Sequence, residues 1–304
     1  MKPEMKEQLK EYQQFIENYM DENCFQYDSE PQKILFSAMR YSLLAGGKRL
    51  RPVFVFDFCR MCGGDWKAAA PFAAAIEMVH TYSLIHDDLP CMDNDDLRRG
   101  KPTCHKVYGE TVATLAGDAL QAAAFRTVLE AEGPWDQSEN SGPWAAAHYL
   151  AQAASEQGMC GGQYLDTLEE GYARTVEDLY LIPAGKTGAL LRAACLMGVC
   201  ASAGKRRVEP RMFDAAREYA EHLGLAFQIK DDILDVTSTT EVLGKPVGSD
   251  QANEKTTFVS LLGIDACEKL VLEHTAKAKE ALNGVFSDCE FLCWLADELA
   301  TRKN

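Results

Sequence analysis

Residues 67–99 read KAAAPFAAAIEMVHTYSLIHDDLPCMDNDDLRR, and this stretch decides how the chain is to be folded. From Lys67 to Leu89 it is apolar and alanine-rich, at a length and spacing that predict one buried helix. At the end of that helix come Asp87, Asp88, Asp93, Asp95 and Asp96. A helix C-terminus carries partial negative charge, so carboxylates stacked there cost stability unless a cation is bound. Asp87 and Asp93 are six residues apart and would point to different sides of a straight helix. Pro90 lies between them, and a bulge at the proline is expected to bring Asp93 back beside Asp87.

A second apolar helix, expected over Pro210–Asp235, ends in KDDILD (230–235). Asp231 and Asp235 are one turn apart on one face and can share a cation, with Asp232 between them. A solvated acidic helix end is the plain explanation of either cluster alone; two of them, each closing a long apolar helix, weaken it. The candidate ligands are all hard oxygens, which favours magnesium over zinc or copper. Magnesium takes one or two carboxylates and leaves its other positions to water and phosphate, so the two clusters read as a clamp for a diphosphate.

The remaining chain is helical in character. Helices are expected near 4–18, 33–44, 107–130, 144–158, 176–196, 257–262, 266–282 and 288–301, and Val53–Phe58 is read as helix among helices. The expectation is an all-α chain, a single domain over residues 1–304, with about ten helices around a central cavity. Residues 133–143 and 238–254 are turn-rich; the second is a candidate lid.

Composition narrows the function. The net charge of −15 argues against nucleic acid, which needs a basic face. An acidic protein that handles an anion needs metals or local basic clusters. Such clusters are present: Lys48, Arg49 and Arg51 in GGKRLR, then Arg98, Arg99 and Lys101 directly after the first aspartates. Lys186 and Thr187 lie in GKTG (185–188), and Lys245 and Lys255 lie in or beside the candidate lid. GKTG is not a P-loop, because Tyr180 stands where that motif has its first glycine. Its glycines interrupt a helical run, which predicts a local distortion. The eleven cysteines are scattered, and the lone pair Cys59–Cys62 points to reduced thiols in a cytoplasmic protein more than to zinc. The start is polar, unlike a secretory signal, and no apolar run reaches the length needed to insert into a membrane.

Taken together, GGKRLRP, HTYSLIHDDLPCMDNDDLRRGKPT, VYGETVATLAGDAL, GKTG, FQIKDDILD, GKPVGSD and EKTTF closely resemble the trans-polyprenyl diphosphate synthase family, and within it the bacterial farnesyl diphosphate synthases. The resemblance implies long helices around a deep pocket and a homodimer. It implies isopentenyl, dimethylallyl and geranyl diphosphates as substrates and about three magnesium ions per active site. Asp87, Asp88 and Asp93 would hold two ions on the allylic diphosphate, and Asp231, with Asp232 and Asp235, the third. Lys48, Arg51, His80 and Arg99 would bind isopentenyl diphosphate; Arg98, Lys186 and Lys245 the allylic diphosphate, with Lys255 a further substrate contact. Thr187 and Gln228 would line the developing cation. Tyr82, with Ser83 beside it, would set product length; Tyr82 as ordinary core is the plain alternative. Geranyl or geranylgeranyl diphosphate are alternative products. A terpene cyclase fits less well, since it has no use for GGKRLR and Arg98–Arg99.

Overall fold

The computed structural model describes residues 3–26, 31–133, 142–167, 179–180, 184–202, 208–237 and 256–302. Contacts divide the chain into two compact units, Met1–Leu150 with Met197–Arg207, and Ala151–Leu196 with Val208–Asn304. The chain is all-α, as expected, and among the described residues the one exception is a hairpin of two residues per strand. Residues 238–255, and with them the candidate lid, Lys245 and Lys255, lie outside the described residues.

In the first unit, α1 (Pro3–Asn23), α2 (Lys33–Leu43), α3 (Leu50–Met61), α4 (Ala70–Asp87), α5 (Cys104–Tyr108) and α6 (Glu110–Leu129) surround one apolar core. Val53–Phe58 is helical, and every residue from Pro52 to Cys59 is buried. α4 is the central element: Phe72–Val79 is buried throughout, including one charge, Glu77. An all-round apolar helix of this kind needs cover on every side, which α3 and α6 supply. Tyr12 and Phe15 of α1 pack on Phe56 and Trp66, edge-on except for the tilted Tyr12–Phe56 pair, and close one end of this core.

Two expectations are corrected, and one hairpin was not anticipated. The helix expected from Lys67 to Leu89 begins as a 3₁₀ turn, Trp66–Ala69, and ends at Asp87. The helix expected over 107–130 is cut at Gly109, whose φ of 84° and ψ of 157° lie where a side chain is strained. The hairpin pairs β1 (Leu97–Arg98) with β2 (Lys101–Pro102) antiparallel, a turn too short for alternation to announce.

The second unit holds α8 (Met159–Thr167), a π-helical turn (Ala184–Gly188), α10 (Pro210–Thr237), α11 (Phe258–Leu262), α12 (Ile264–Leu282) and α13 (Glu290–Thr301). The helices α7 (Gly142–Ala154) and α9 (Ala189–Ala201) each run across a unit boundary. α8 was not expected; the chain restarts a helix directly after Gly158. α10 packs along α12, with Ile229, Ile233, Phe258, Cys267 and Val271 in a shared apolar cluster. The π-helical turn is the distortion anticipated at GKTG. All eleven cysteines are free, and burial pushes the Cys62 thiol up to about 12, which keeps it protonated. Among the described residues no helix is long and apolar enough to cross a membrane.

Candidate active site

The first aspartate motif is shaped by the end of α4. Asp87 is its last residue, and Asp88 caps it with its N–H on Leu84 O. The chain then doubles back: Met92 N–H and Asn94 N–H both donate to Leu89 O, and Asp93 N–H donates to Asp87 O at 2.9 Å. Asn94 takes a left-handed conformation, φ 53°, that asparagine tolerates better than most residues. Asp93 is thus returned to Asp87, as expected, but by a hydrogen-bonded turn beyond the helix and not by a bulge within it.

Asp88 is almost fully buried and faces Arg98, whose Nε and Nη2 lie 2.7 and 2.6 Å from its Oδ1. Burial pushes the Asp88 carboxyl up, against the opposing pull of Arg98. The hairpin exists to make this contact: it turns Arg98 inward while Arg99, at φ 54°, donates to Gly46 O. Arg99 therefore ties the hairpin to the GGKRLR loop. Thr81, Ile85, Asp88, Arg98, Arg99 and Ser42 line one cavity of this unit.

That loop carries a buried device the sequence reading had not assigned. Arg49, fully buried and left-handed at φ 49°, donates to Glu77 at 2.7 Å, Glu17 at 2.6 Å and Leu43 O at 2.6 Å. Burial alone would lower its pKa, but Glu77 and Glu17 more than restore it. One feature could have pointed to this pair: Glu77 is the single charge inside an apolar helix. Arg49 is committed inward, and its neighbours in sequence differ from it in exposure and charge environment. Lys48 is exposed. Arg51 Nε is buried without a hydrogen-bond partner, and burial pushes its guanidinium down, as does Arg99. His80 is held well below the usual histidine range by burial, then by Arg51, Arg99, Arg49 and Arg98, so its ring is neutral. A concentration of cations this strong, with an unsatisfied guanidinium, suits a polyanion.

Tyr82 is buried, its hydroxyl accepts from Gln121 Nε2 on α6 at 3.2 Å, and its ring meets His86 edge-on. Ser83 is spent on the carbonyl of His80, 2.9 Å away.

In the second unit, the aspartates of α10 differ in their commitments. Asp232 is buried and accepts from Gln228 Nε2 and from the N–H of Phe258, each at 3.0 Å. Asp235 is buried, whereas Asp231 is about half exposed and meets Arg302 at 2.6 Å. Lys186 and Thr187 stand on the π-helical turn, where Lys186 Nζ is 2.7 Å from Asp166 of α8. α8 can approach that turn only through Gly162: a Cβ there would overlap the backbone of Gly185 and Lys186. Gly162, Asp166 and Arg302 touch candidate site residues and have no mark in the local sequence.

The donor chemistry of the two motifs fits a hard divalent cation such as magnesium, since the candidate ligands are all carboxylates. Among the described residues no three acidic, imidazole or thiol groups converge on a metal site.

Residues 32–288 match the family model described as polyprenyl synthetase. A farnesyl diphosphate synthase of Geobacillus stearothermophilus is 44% identical over 270 residues, 89% of this chain and 89% of that one. A chloroplastic geranylgeranyl pyrophosphate synthase of Capsicum annuum is also 44% identical, over 273 residues, 89% of this chain and 72% of that one. The crystal structure of a geranyltransferase from Legionella pneumophila superposes with a TM-score of 0.85 at 35% identity, covering 99% of this chain and 98% of that one. An FPP/GFPP synthase from Zymomonas mobilis superposes with a TM-score of 0.84 at 35% identity, covering 98% and 99%.

Proposed function

This chain belongs to the polyprenyl synthetase family, whose prenyltransferases elongate isoprenoid chains, and from that premise we propose that it condenses isopentenyl diphosphate with dimethylallyl and then geranyl diphosphate to release farnesyl diphosphate. The observation that carries the product length is Tyr82, a buried ring five residues before Asp87, roughly 7.5 Å along the helix axis. An allylic diphosphate pinned at Asp87 and Asp88 runs its tail toward that ring.

In this reading Asp87, Asp88 and Asp93 would hold magnesium on the allylic diphosphate, and Asp231, with Asp232 and Asp235, would hold it at the other motif, Asp232 being also bonded to Gln228 and to the N–H of Phe258. Magnesium, when bound, neutralises the charge of the departing diphosphate. Arg98 and Lys186 exchange their present carboxylate partners, Asp88 and Asp166, for phosphate oxygens, and Lys245 and Lys255 add positive charge to the same group. Lys48, Arg51, neutral His80 and Arg99 hold isopentenyl diphosphate. The allylic C–O bond breaks with its electron pair going to diphosphate. The cation left behind is lined by Thr187 and Gln228, in surroundings that exclude water. The double bond of isopentenyl diphosphate attacks it, a C–C bond forms, and the proton lost passes to the departing diphosphate. The working form is a homodimer in the cytoplasm, each chain one catalytic domain.

A second reading, geranylgeranyl diphosphate as product, is favoured by the relative of that name at equal identity. The deciding experiment supplies the purified protein with isopentenyl and dimethylallyl diphosphates and magnesium and sizes the dephosphorylated products by chromatography. Fifteen-carbon product is expected; a predominantly twenty-carbon product would replace the first reading with the second.

A further inference from the structure

Arg302, just beyond α13, lies against the second aspartate motif. Its Nη2 is 2.6 Å from Asp231 Oδ1 and 3.2 Å from Phe227 O, and its guanidinium carbon sits 3.8 Å from the centre of the Phe227 ring. Phe227 and Asp231 are four residues apart on α10 and so share a face. Together they form a notch that the arginine fills.

The contacts are unevenly matched. The Arg302 side chain is only 10% exposed, whereas that of Asp231 is 45% exposed. Arg302 Nε is buried without a hydrogen-bond partner. A guanidinium seated with one donor unpaired, on a carboxylate still reachable by water, is held weakly enough to be exchanged. The oxygen it occupies is also one a divalent ion would need. Arg98 also pairs with Asp88 of the first motif at 2.6 Å, but there the carboxylate is the buried partner.

We propose that Arg302 is the resident counter-cation of the second aspartate motif: it holds Asp231 in place while no divalent ion is bound and leaves that oxygen when one binds. The inference rests on the reading of Asp231 as a metal ligand. Arg302 is then a positioning residue, one that keeps Asp231 oriented and sets how much metal is required to load the site. Its departure frees a cation beside the incoming diphosphate.

The test measures Mn²⁺ binding by the electron paramagnetic resonance signal of the free ion, in wild type, Arg302→Gln, Asp231→Asn and the double variant. Removing the competitor should tighten the Asp231-dependent binding by roughly 1.5- to fivefold, the value of a half-exposed ion pair. In the Asp231→Asn background the same Arg302→Gln change should have no effect. A parallel measurement on the wild type needs no variant: trypsin cleavage after Arg302, followed by mass spectrometry, should speed up when Mn²⁺ is added and should already be fast in Asp231→Asn. If Asp231→Asn leaves Mn²⁺ binding intact, the metal assignment of that motif fails, and this inference with it. If Asp231→Asn loses binding while Arg302→Gln fails to tighten it, or tightens it equally in the Asp231→Asn background, the counter-cation role alone is overturned. Cleavage after Arg302 that is indifferent to Mn²⁺ overturns it as well.

Discussion

The N–H of Asp93 donates to the carbonyl oxygen of Asp87 at 2.9 Å, so a backbone hydrogen bond returns Asp93 to the end of the helix. That bond uses neither carboxylate. Asp87→Ala and Asp93→Ala should each lower turnover by about a hundredfold or more, the scale of losing several kcal/mol of charge stabilisation, with little change in melting temperature. Steady-state kinetics beside circular dichroism checks this. Near-normal turnover in both variants would mean that the metals are held elsewhere, and full turnover in excess chelator would overturn the metal clamp itself.

Glu77 neutralises Arg49 with both side chains out of water. Glu77→Gln leaves that guanidinium with Glu17 alone as its charge partner, and breaking a buried pair costs about 3–5 kcal/mol. The loop that presents Lys48 and Arg51 should loosen in consequence. The expected result is a clear fall in denaturant midpoint, and a KM for isopentenyl diphosphate that rises more than the KM for the allylic substrate. An equal rise in both would separate Glu77 from that loop.

Gly162 lets α8 touch the turn that carries Lys186 and Thr187. Gly162→Ala drives a methyl group into that backbone, at a cost of about 1–3 kcal/mol for an overpacked contact. Turnover should fall more than tenfold while far-ultraviolet dichroism stays helical. Full activity in this variant would show that the π-helical turn tolerates displacement.

Tyr82→Ala should leave condensation active and shift products from fifteen carbons toward twenty or more, because the ring on Gln121 and His86 no longer blocks the tail. Chromatography of dephosphorylated products reads this directly. An active variant whose products still stop at fifteen carbons would assign the floor to other residues.

His274 of α12 stands 3.0 Å from His222 of α10, Nδ1 to Nδ1. Burial lowers its pKa below 6.5, and His222 and Lys277 add to that, against Glu273. The unfolded chain thus binds a proton that the fold refuses. Stability is full above the unfolded value and is lost as pH falls below it toward the folded one. The melting temperature should decline from pH 7 to pH 5, and His274→Gln should flatten that decline. A variant with an unchanged slope would assign the loss to other groups, the buried His80 first among them.

Much of the molecule was legible from local pattern. Period-3.6 apolar spacing and alanine-rich runs specify the helices, Asp231 and Asp235 share a face because they are one turn apart, and glycines inside GKTG announce a distortion. These properties depend on residues within a few positions of one another, which is why the chain alone determined the all-α class and the composition of both aspartate motifs. What joins residues far apart leaves no such trace. That Arg98 rests on Asp88, that Glu77 is answered by Arg49 twenty-eight residues away, and that Arg302 crosses seventy-one residues to Asp231 were decided only when helices packed. Burial makes each charge seek a partner, and which partner lies within reach is a property of the packed helices, not of the order of the chain.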